Sequence, residues 1–201
     1  MNRNFVGLCL LIGTLPTKAI PASHFIHGNM MPLHYAAQAG NVEKIKELLH
    51  NHANVNAIDS AGWTPLHHAA RAIPMTHKHV KCITKLLLYG AKINAADNND
   101  LTILHHAAIC GNIEKLQLFA KLFREHKATM DPVALYGRTP LHFAVSKGHV
   151  ECAEILIQYG ANTALTTIFG TSLAMLATQN GHQKMNSVLN NALHNNNHSS
   201  E

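Results

Sequence analysis

The chain has 201 residues, of which 47% are hydrophobic, 5% aromatic and 13% charged, a composition that favours one domain of Ala- and Leu-rich helices over a β-sandwich. The formal net charge of +5 raises the question of nucleic-acid binding. The Lys and Arg residues are scattered, however, with no run longer than Lys44-Ile45-Lys46. A mixed, solvated surface explains this charge better than a phosphate-binding patch, so we expect no nucleic-acid partner.

The first predicted element is a secretory signal peptide at residues 1–22. A short start that carries Arg3 precedes an apolar run at residues 5–15, and Ala19 and Ala22 are both plausible cleavage positions. This order of charge, apolar core and small residues is typical of export signals, and the run is too short to span a membrane. We expect an exported protein, periplasmic or secreted, without stable membrane insertion after signal removal. A packed or disordered N-terminal arm is the alternative.

One motif recurs after a linker expected at residues 23–29. Its second copy, residues 62–70, has the sequence Gly-Trp-Thr-Pro-Leu-His-His-Ala-Ala. Thr64 suits a helix N-cap, Pro65 suits the first helical position, and the Leu and Ala residues that follow form a small apolar face. The first two copies lie 33 positions apart. The four copies of the motif are residues 31–37, 62–70, 102–108 and 139–145.

On this motif and period the chain resembles ankyrin-repeat proteins over residues 30–193. The resemblance implies an all-α solenoid of about five helix-turn-helix repeats with short β-hairpin tips. It also implies that the motif histidines are structural, each forming a hydrogen bond with the backbone of a neighbouring loop. These histidines are His34, His67, His105 and His142.

The first repeat is regular, whereas the second contains an insertion. Apolar spacing predicts an inner helix at residues 32–39 and an outer helix at residues 42–50 of the first repeat. In the second repeat the two helices are five residues further apart. The extra residues lie in the segment 71–79, where Pro74 cannot continue the inner helix. We therefore expect a longer loop, followed by an outer helix from Val80 to Tyr89.

Among the last three repeats, the third and the fifth depart from the pattern and the fourth follows it. The third has four extra residues within or after its outer helix, around Phe123 to Lys127, and the fourth, Gly137 to Asn162, follows the pattern. The fifth keeps the spacing, but its segment 171–174 lacks Pro and His, as expected of a terminal repeat whose outer face meets water. The polar tail at residues 194–201 is expected to be disordered.

The sequence contains no recognised catalytic motif. It lacks G-x-S-x-G, a Walker loop, H-E-x-x-H and C-x-x-C. Its 17 histidines make a metal site worth weighing. The pairs His77 with His79 and His194 with His198 have no evident carboxylate or thiolate partner, however. We therefore expect a protein that is not an enzyme and holds neither cofactor nor metal.

Candidate binding residues occupy positions that the repeat architecture does not require. In the family that the chain resembles, the hairpin tips and the solvent-facing part of the inner helices contact the partner. The residues at these positions are Ile58, Ser60, Trp63, Arg71, Asn98, Asn99, Leu101, Ile109, Leu135, Tyr136, Arg138, Ile168 and Phe169. Among them Trp63, Leu101, Tyr136 and Phe169 align along one edge, and large apolar and aromatic groups are common interface anchors. The alternative is that some of these side chains pack between neighbouring fingers.

The function implied by the resemblance is non-catalytic recognition of a protein partner by a monomer, as an exported bacterial protein or effector. An accessory role remains open, in which a periplasmic protein supports an oxidative or metal-dependent enzyme. A third hypothesis is an enzyme with a site in the inserted loop. Bound metal would favour the accessory role, and turnover lost on replacing His77 and His79 would favour the enzyme.

Overall fold

The computed structural model describes residues 30–197, so the predicted signal peptide, the linker and residues 198–201 of the tail lie outside the described part. Ten α-helices follow one another within it. They are α1 Pro32–Gln38, α2 Val42–His50, α3 Pro65–Arg71, α4 His77–Leu88, α5 Ile103–Cys110, α6 Ile113–Glu125, α7 Pro140–Lys147, α8 Val150–Gln158, α9 Leu173–Gln179 and α10 Gln183–Asn197.

The helices form two rows. The odd-numbered helices α1 to α9 pack on one another in sequence as the inner row, and each also packs on the even-numbered helix that follows it. In the outer row α2 packs on α4, α6 on α8 and α8 on α10. Five stacked helix pairs result, which confirms the all-α solenoid fold expected from the repeats.

Each inner helix begins where the motif predicts. Thr64 and Thr139 cap α3 and α7, accepting a hydrogen bond through the hydroxyl from the backbone N–H of the motif His three residues later. The imidazole in turn accepts from the backbone N–H of the capping residue, at 3.2 Å for His67 and 3.3 Å for His142. This reciprocal arrangement satisfies two N–H groups that a helix start leaves without a partner.

Small side chains in the inner row allow the close packing of the stack. The motif Ala pairs of α1, α3 and α5 are all buried, as are the Leu residues of the same motif. Larger apolar groups from the outer row complete the core, and Phe119 and Phe123 of α6 are among its largest fully buried side chains. The apolar core is therefore continuous along the repeats.

Helices α1 and α4 each end one residue before the predicted position, and two other helix ends differ by more. Helix α4 begins at His77, three residues before the predicted Val80, because Thr76 and His79 form the same reciprocal cap as in the motif. The insertion therefore splits between a loop at residues 72–76 and an extra turn of helix. The four extra residues of the third repeat lengthen α6, which has 13 residues. Helix α10 continues to Asn197, four residues into the segment predicted to be a disordered tail.

The loops that precede α3, α5, α7 and α9 project as turns, which we call fingers one to four. In the part of the chain that the structure describes they form no regular strand, apart from an isolated antiparallel bridge between Ala134 and Arg138. Residues 30–197 also contain no helix that is both long and apolar enough to cross a bilayer.

Candidate functional site

In each of the first two fingers an Asp side chain at the start of the turn holds the turn's backbone. Asp59 Oδ1 accepts from the backbone N–H groups of Ala61 and Trp63, both at 2.9 Å. Asp97 Oδ1 accepts in the same way from Asn99 and Leu101, at 2.8 and 3.0 Å. Asp residues favour such turns because the carboxylate reaches backbone donors two residues on. The third finger has Ala134 at this position and forms a short 3-10 turn instead.

Backbone and amide hydrogen bonds link neighbouring fingers. Asn98 donates from its backbone N–H to the Ala61 carbonyl at 3.1 Å and from its side chain to the Ser60 carbonyl at 2.9 Å. The Ile168 N–H donates to the Tyr136 carbonyl at 3.0 Å. Fingers one and two, and fingers three and four, are therefore coupled in pairs. Asn98, predicted as a binding residue, has its side-chain amide engaged in this link.

The third and fourth fingers expose a group of apolar side chains that we call the tip cluster: Leu135, Tyr136, Ile168 and Phe169. Their exposed fractions are 48%, 59%, 69% and 74%. The rings of Tyr136 and Phe169 lie 5.9 Å apart between centroids. Tyr136 also has a φ of 65°, a left-handed backbone conformation uncommon for a residue other than glycine. The sequence predicts all four residues, and the structure brings them together.

Trp63 is placed differently from the tip cluster, although the sequence predicts it in the same row. Its indole N–H donates to Asp97 Oδ2 at 3.2 Å, and the ring meets the edges of His68 and His106 at centroid distances of 5.4 Å. Arg71 also lies over the ring, with Cζ 4.5 Å from the ring centroid. Trp63 is thus half-buried between the first two fingers, which corresponds to the alternative in which such rings pack between fingers.

The remaining predicted residues are spread over the same surface. Ile58, Ser60, Asn98 and Asn99 are exposed in the first two fingers, whereas Leu101 is half-buried. On the inner helices Arg71 is exposed and Ile109 half-buried. Arg138 is also half-buried, and its guanidinium lies 5.7 Å from the Phe143 ring. Ile58 is apolar and 59% exposed, but it is a single such side chain in its finger, whereas the tip cluster brings four predicted apolar side chains onto two neighbouring fingers.

Two Asp–His pairs behind the first two fingers were missed in the sequence analysis. His68 Nε2 lies 2.8 Å from Asp59 Oδ2, and His106 Nε2 lies 3.0 Å from Asp97 Oδ2. Burial raises the pKa of Asp59 and Asp97, but the hydrogen bonds that each accepts outweigh burial, and both pKa values are lower than usual. The signal was present in the sequence, since each Asp precedes its His by nine positions. The pairs hold finger to helix.

The motif histidines occupy the structural positions that the resemblance implies. His34 Nδ1 accepts from the Met31 N–H, so its Nε2 carries the proton and donates to the carbonyls of Ala57 and Trp63 at 3.0 and 3.1 Å. His105 Nε2 donates to the Arg138 carbonyl at 3.3 Å. The Nε2 atoms of His67 and His142 are buried and reach no hydrogen-bond geometry within the described residues. The expected contact with loop backbone is therefore made by two of the four.

Within residues 30–197 no three His, Cys, Asp or Glu side chains converge as a metal site would need. His77 is exposed, whereas His79 is buried and places Nε2 3.1 Å from the Gln38 carbonyl. Burial raises the pKa values of the Cys82 and Cys152 thiols to about 11, and Glu151 contributes at Cys152. These thiols therefore stay protonated at neutral pH and are poor nucleophiles.

Comparison with known proteins identifies the repeat. A family model described as ankyrin repeats (3 copies) matches residues 15–97 and 75–167. Together these matches cover well over half of the chain.

Similar proteins come from several kingdoms. Ankyrin repeat and SOCS box protein 3 from Homo sapiens is 33% identical over 137 residues, which are 68% of this chain and 19% of that protein. The putative ankyrin repeat protein YahD from Escherichia coli is 29% identical, over 63% of this chain and 45% of its own length. Ankyrin repeat protein nuc-2 from Neurospora crassa is 25% identical, over 73% of this chain and 16% of its own length. The chain thus spans less than half of each of these relatives.

Proposed function

The chain belongs to the ankyrin-repeat family, and on that premise we propose that it is a non-catalytic module that binds a protein partner through the tip cluster. The observation that carries the proposal is the exposure of four large apolar side chains at the tips of fingers three and four. Contiguous apolar groups on a soluble surface mark interaction sites more often than isolated ones do.

Burial explains why these side chains are better candidates than the rest of the predicted row. Phe169 and Ile168 are 74% and 69% exposed, so most of their apolar surface remains available to a partner. The indole N–H of Trp63 already donates a hydrogen bond within the chain, and its ring already contacts neighbouring side chains. We therefore assign the anchoring role to Tyr136 and Phe169, and to Trp63 the role of holding the first two fingers in position.

The backbone of Tyr136 supports the same assignment. A Tyr with φ of 65° carries a conformational cost that glycine would avoid. The preceding Leu135 and the following Gly137 complete a 3-10 turn that presents the ring outward beside Phe169. Strained residues persist where the surrounding structure holds them, and such positions cluster at binding sites.

The proposal is tested with a double variant, Tyr136→Ala with Phe169→Ala. The partner is first recovered by affinity purification on the unmodified chain and identified by mass spectrometry, and its affinity is then measured with purified proteins. We expect at least a tenfold loss, or about 1.4 kcal/mol, because aromatic anchors commonly carry much of an interface's energy. Helical circular dichroism should be unchanged, since both rings are exposed.

Lys184→Ala on α10 is the control for this experiment. Lys184 is exposed on the outer row of the last repeat, so the variant should bind normally. Unchanged affinity of a folded double variant would show that the partner uses another surface. A greater loss for Trp63→Ala at full helicity would move the anchor to the first two fingers.

We further propose that the protein is exported, as an extracellular or periplasmic protein or an effector. The support is the charged start, apolar run and Ala-ended boundary within residues 1–22. Intact-mass analysis of protein from the native host should find these residues removed, with a new N-terminus after Ala19 or Ala22. Mature exported protein that keeps Met1 would contradict the proposal.

A further inference from the structure

The outer row carries a groove between α2 and α4, remote in sequence from the fingers of the tip cluster. Its volume is about 900 Å³, and its lining includes Val42 and Val80 together with four lysines. The lysines are Lys46 from α2 and Lys78, Lys81 and Lys85 from α4. Glu43 is the one carboxylate in the lining, so the two valines lie among groups whose charge is predominantly positive.

The three lysines of α4 form no ion pair within residues 30–197. They lie three and four positions apart, which places them on one face of the helix, and α4 itself has no acidic residue. By contrast, Lys46 pairs with Glu43 at 3.0 Å. The charge that faces the groove therefore comes mainly from α4.

The start of α4 adds to this positive potential. Helices α2, α6 and α8 each carry a Glu in the first turn, namely Glu43, Glu114 and Glu151, where a carboxylate compensates the positive end of the helix dipole. Helix α4 has no acidic residue there and has Lys78 instead. Its N-terminal end, like that of α10, lacks the compensation that α2, α6 and α8 have, and it alone of the two lines this groove.

A second groove in the same row shows that this charge is local. The groove between α6 and α8, of about 560 Å³, is lined by Glu114, Lys121 and Arg124 among others. Lys121 lies 3.8 Å from Glu125, and Arg124 lies over the Tyr159 ring at 4.7 Å. Lys121 and Arg124 of that groove are thus engaged within the protein, unlike the lysines of α4.

We propose that the α2–α4 groove binds an acidic segment of a protein, whose carboxylates meet Lys78, Lys81 and Lys85. Three charges along two helical turns match a short acidic run, and Val42 and Val80 provide contact for aliphatic side chains between the carboxylates. The lining contains no Arg, Phe, Tyr or Trp, and its one aromatic ring is that of His77, so it offers little surface on which successive nucleic-acid bases could stack. A polypeptide therefore fits the groove better than a nucleic acid.

The test uses the full chain and a short fluorescein-labelled peptide of repeating Glu-Leu-Glu units, with fluorescence anisotropy as the readout. A peptide with Gln in place of each Glu is the uncharged comparison. The acidic peptide should bind, the Gln peptide should not, and binding should weaken as salt screens the charges. The triple variant Lys78→Glu, Lys81→Glu and Lys85→Glu should lose at least tenfold in affinity, or about 1.4 kcal/mol. The corresponding Lys→Gln triple variant should lose less.

The matched control reverses three exposed lysines outside the groove, Lys92→Glu, Lys147→Glu and Lys184→Glu. It has the same net charge as the groove variant and should bind within about twofold of the unmodified chain. Equal losses in both variants would mean that net charge alone attracts the peptide, and would overturn the proposal. So would failure of the acidic peptide to bind, or tighter binding of oligothymidylate that depends on the α4 lysines.

Discussion

The imidazoles of His67 and His105 lie inside the stack, where a positive charge is poorly compensated. Burial is the main cause that lowers the pKa of His67 to about 4, and the nearby His106 adds to it. Burial likewise lowers the pKa of His105 to about 4, although the Arg138 carbonyl that accepts from Nε2 favours the charged form. Unfolding releases both groups to their ordinary pKa of 6.5, so the unfolded chain binds more protons between these values.

The free energy of unfolding should therefore fall as the pH drops from about 6.5 toward 4. The slope is about 1.4 kcal/mol per pH unit for each histidine that takes up a proton on unfolding. Above pH 7 both groups are neutral in either state and the slope from them vanishes. Asp59 and Asp97 have lowered pKa values, so the stability that they contribute is lost only at lower pH, below about 4.

Urea midpoints measured at several pH values for the unmodified chain and for His105→Gln check this expectation. The variant should have a shallower slope of unfolding free energy between pH 6.5 and 4, because Gln cannot titrate. It should also be less stable at pH 7. An unchanged slope would mean that His105 is not a source of the pH dependence.

Trp63 illustrates what can be predicted at the level of single residues. The motif places it correctly, in the residue before the cap of α3. Its burial depends on Asp97, which lies 34 positions away and accepts from the indole N–H. Exposure of Phe169 could be predicted more readily, because no later finger exists in the described chain to cover it. The burial of a side chain that is covered by the next repeat cannot be predicted from the sequence of its own repeat alone.

At the level of elements, the fingers depend on close approach between neighbours. Gly62 has a φ of 77°, and a Cβ atom there would lie 2.4 Å from Asn98 Oδ1 and 2.7 Å from the Asn98 backbone nitrogen. Gly170, at the matching position of the fourth finger, has a φ of 71° and would meet nothing within 4 Å. The two glycines share backbone conformation and differ in whether another finger lies beside them.

This pair gives a controlled prediction for chemical denaturation. Gly170→Ala should cost about 1–2 kcal/mol from the left-handed backbone alone. Gly62→Ala should cost that amount plus about 1–3 kcal/mol for forcing apart a packed contact. The measurement is the difference in urea midpoint between the two variants at pH 7. Equal losses would show that the contact between fingers one and two relaxes freely.

Helix boundaries also show how far local sequence determines an element. Helix α2 occupies the predicted residues 42–50, since Asn41 caps it and apolar spacing marks its face. Helix α4 begins earlier than predicted, because Thr76 and His79 repeat the capping pattern of the inner helices without its Pro and Leu. The capping residues alone carry the signal there. Recognition of the complete motif therefore locates the starts of the inner helices and misses the first turn of this outer one.

On the scale of the whole molecule, each repeat is stabilised mainly by its neighbours. Inner helices pack mainly on the adjacent inner helices and on their own outer partners, and α1 also contacts α4 of the next repeat, so the core is a series of interfaces between neighbours. Helix α7 lies toward the middle of this series and packs on α5, α8 and α9. Truncation of a buried side chain in α7 weakens its contacts with the repeats on both sides, whereas truncation of an exposed side chain leaves all interfaces between repeats intact.

Leu141 of α7 is completely buried, and its truncation is the clearest test of this description. Leu141→Ala removes apolar surface and leaves a cavity between repeats, so we expect a loss of about 2–5 kcal/mol in the free energy of unfolding. Lys184→Ala, on the exposed side of α10, should stay within about 0.5 kcal/mol of the unmodified chain. Urea midpoints of both variants at pH 7 provide the comparison. A cavity between coupled repeats also lowers the cooperativity of unfolding between the two halves of the stack. The Leu141→Ala transition should therefore be broader and have a midpoint at lower urea concentration. A loss as small as that of Lys184→Ala would mean that the stack does not depend on burial in its middle.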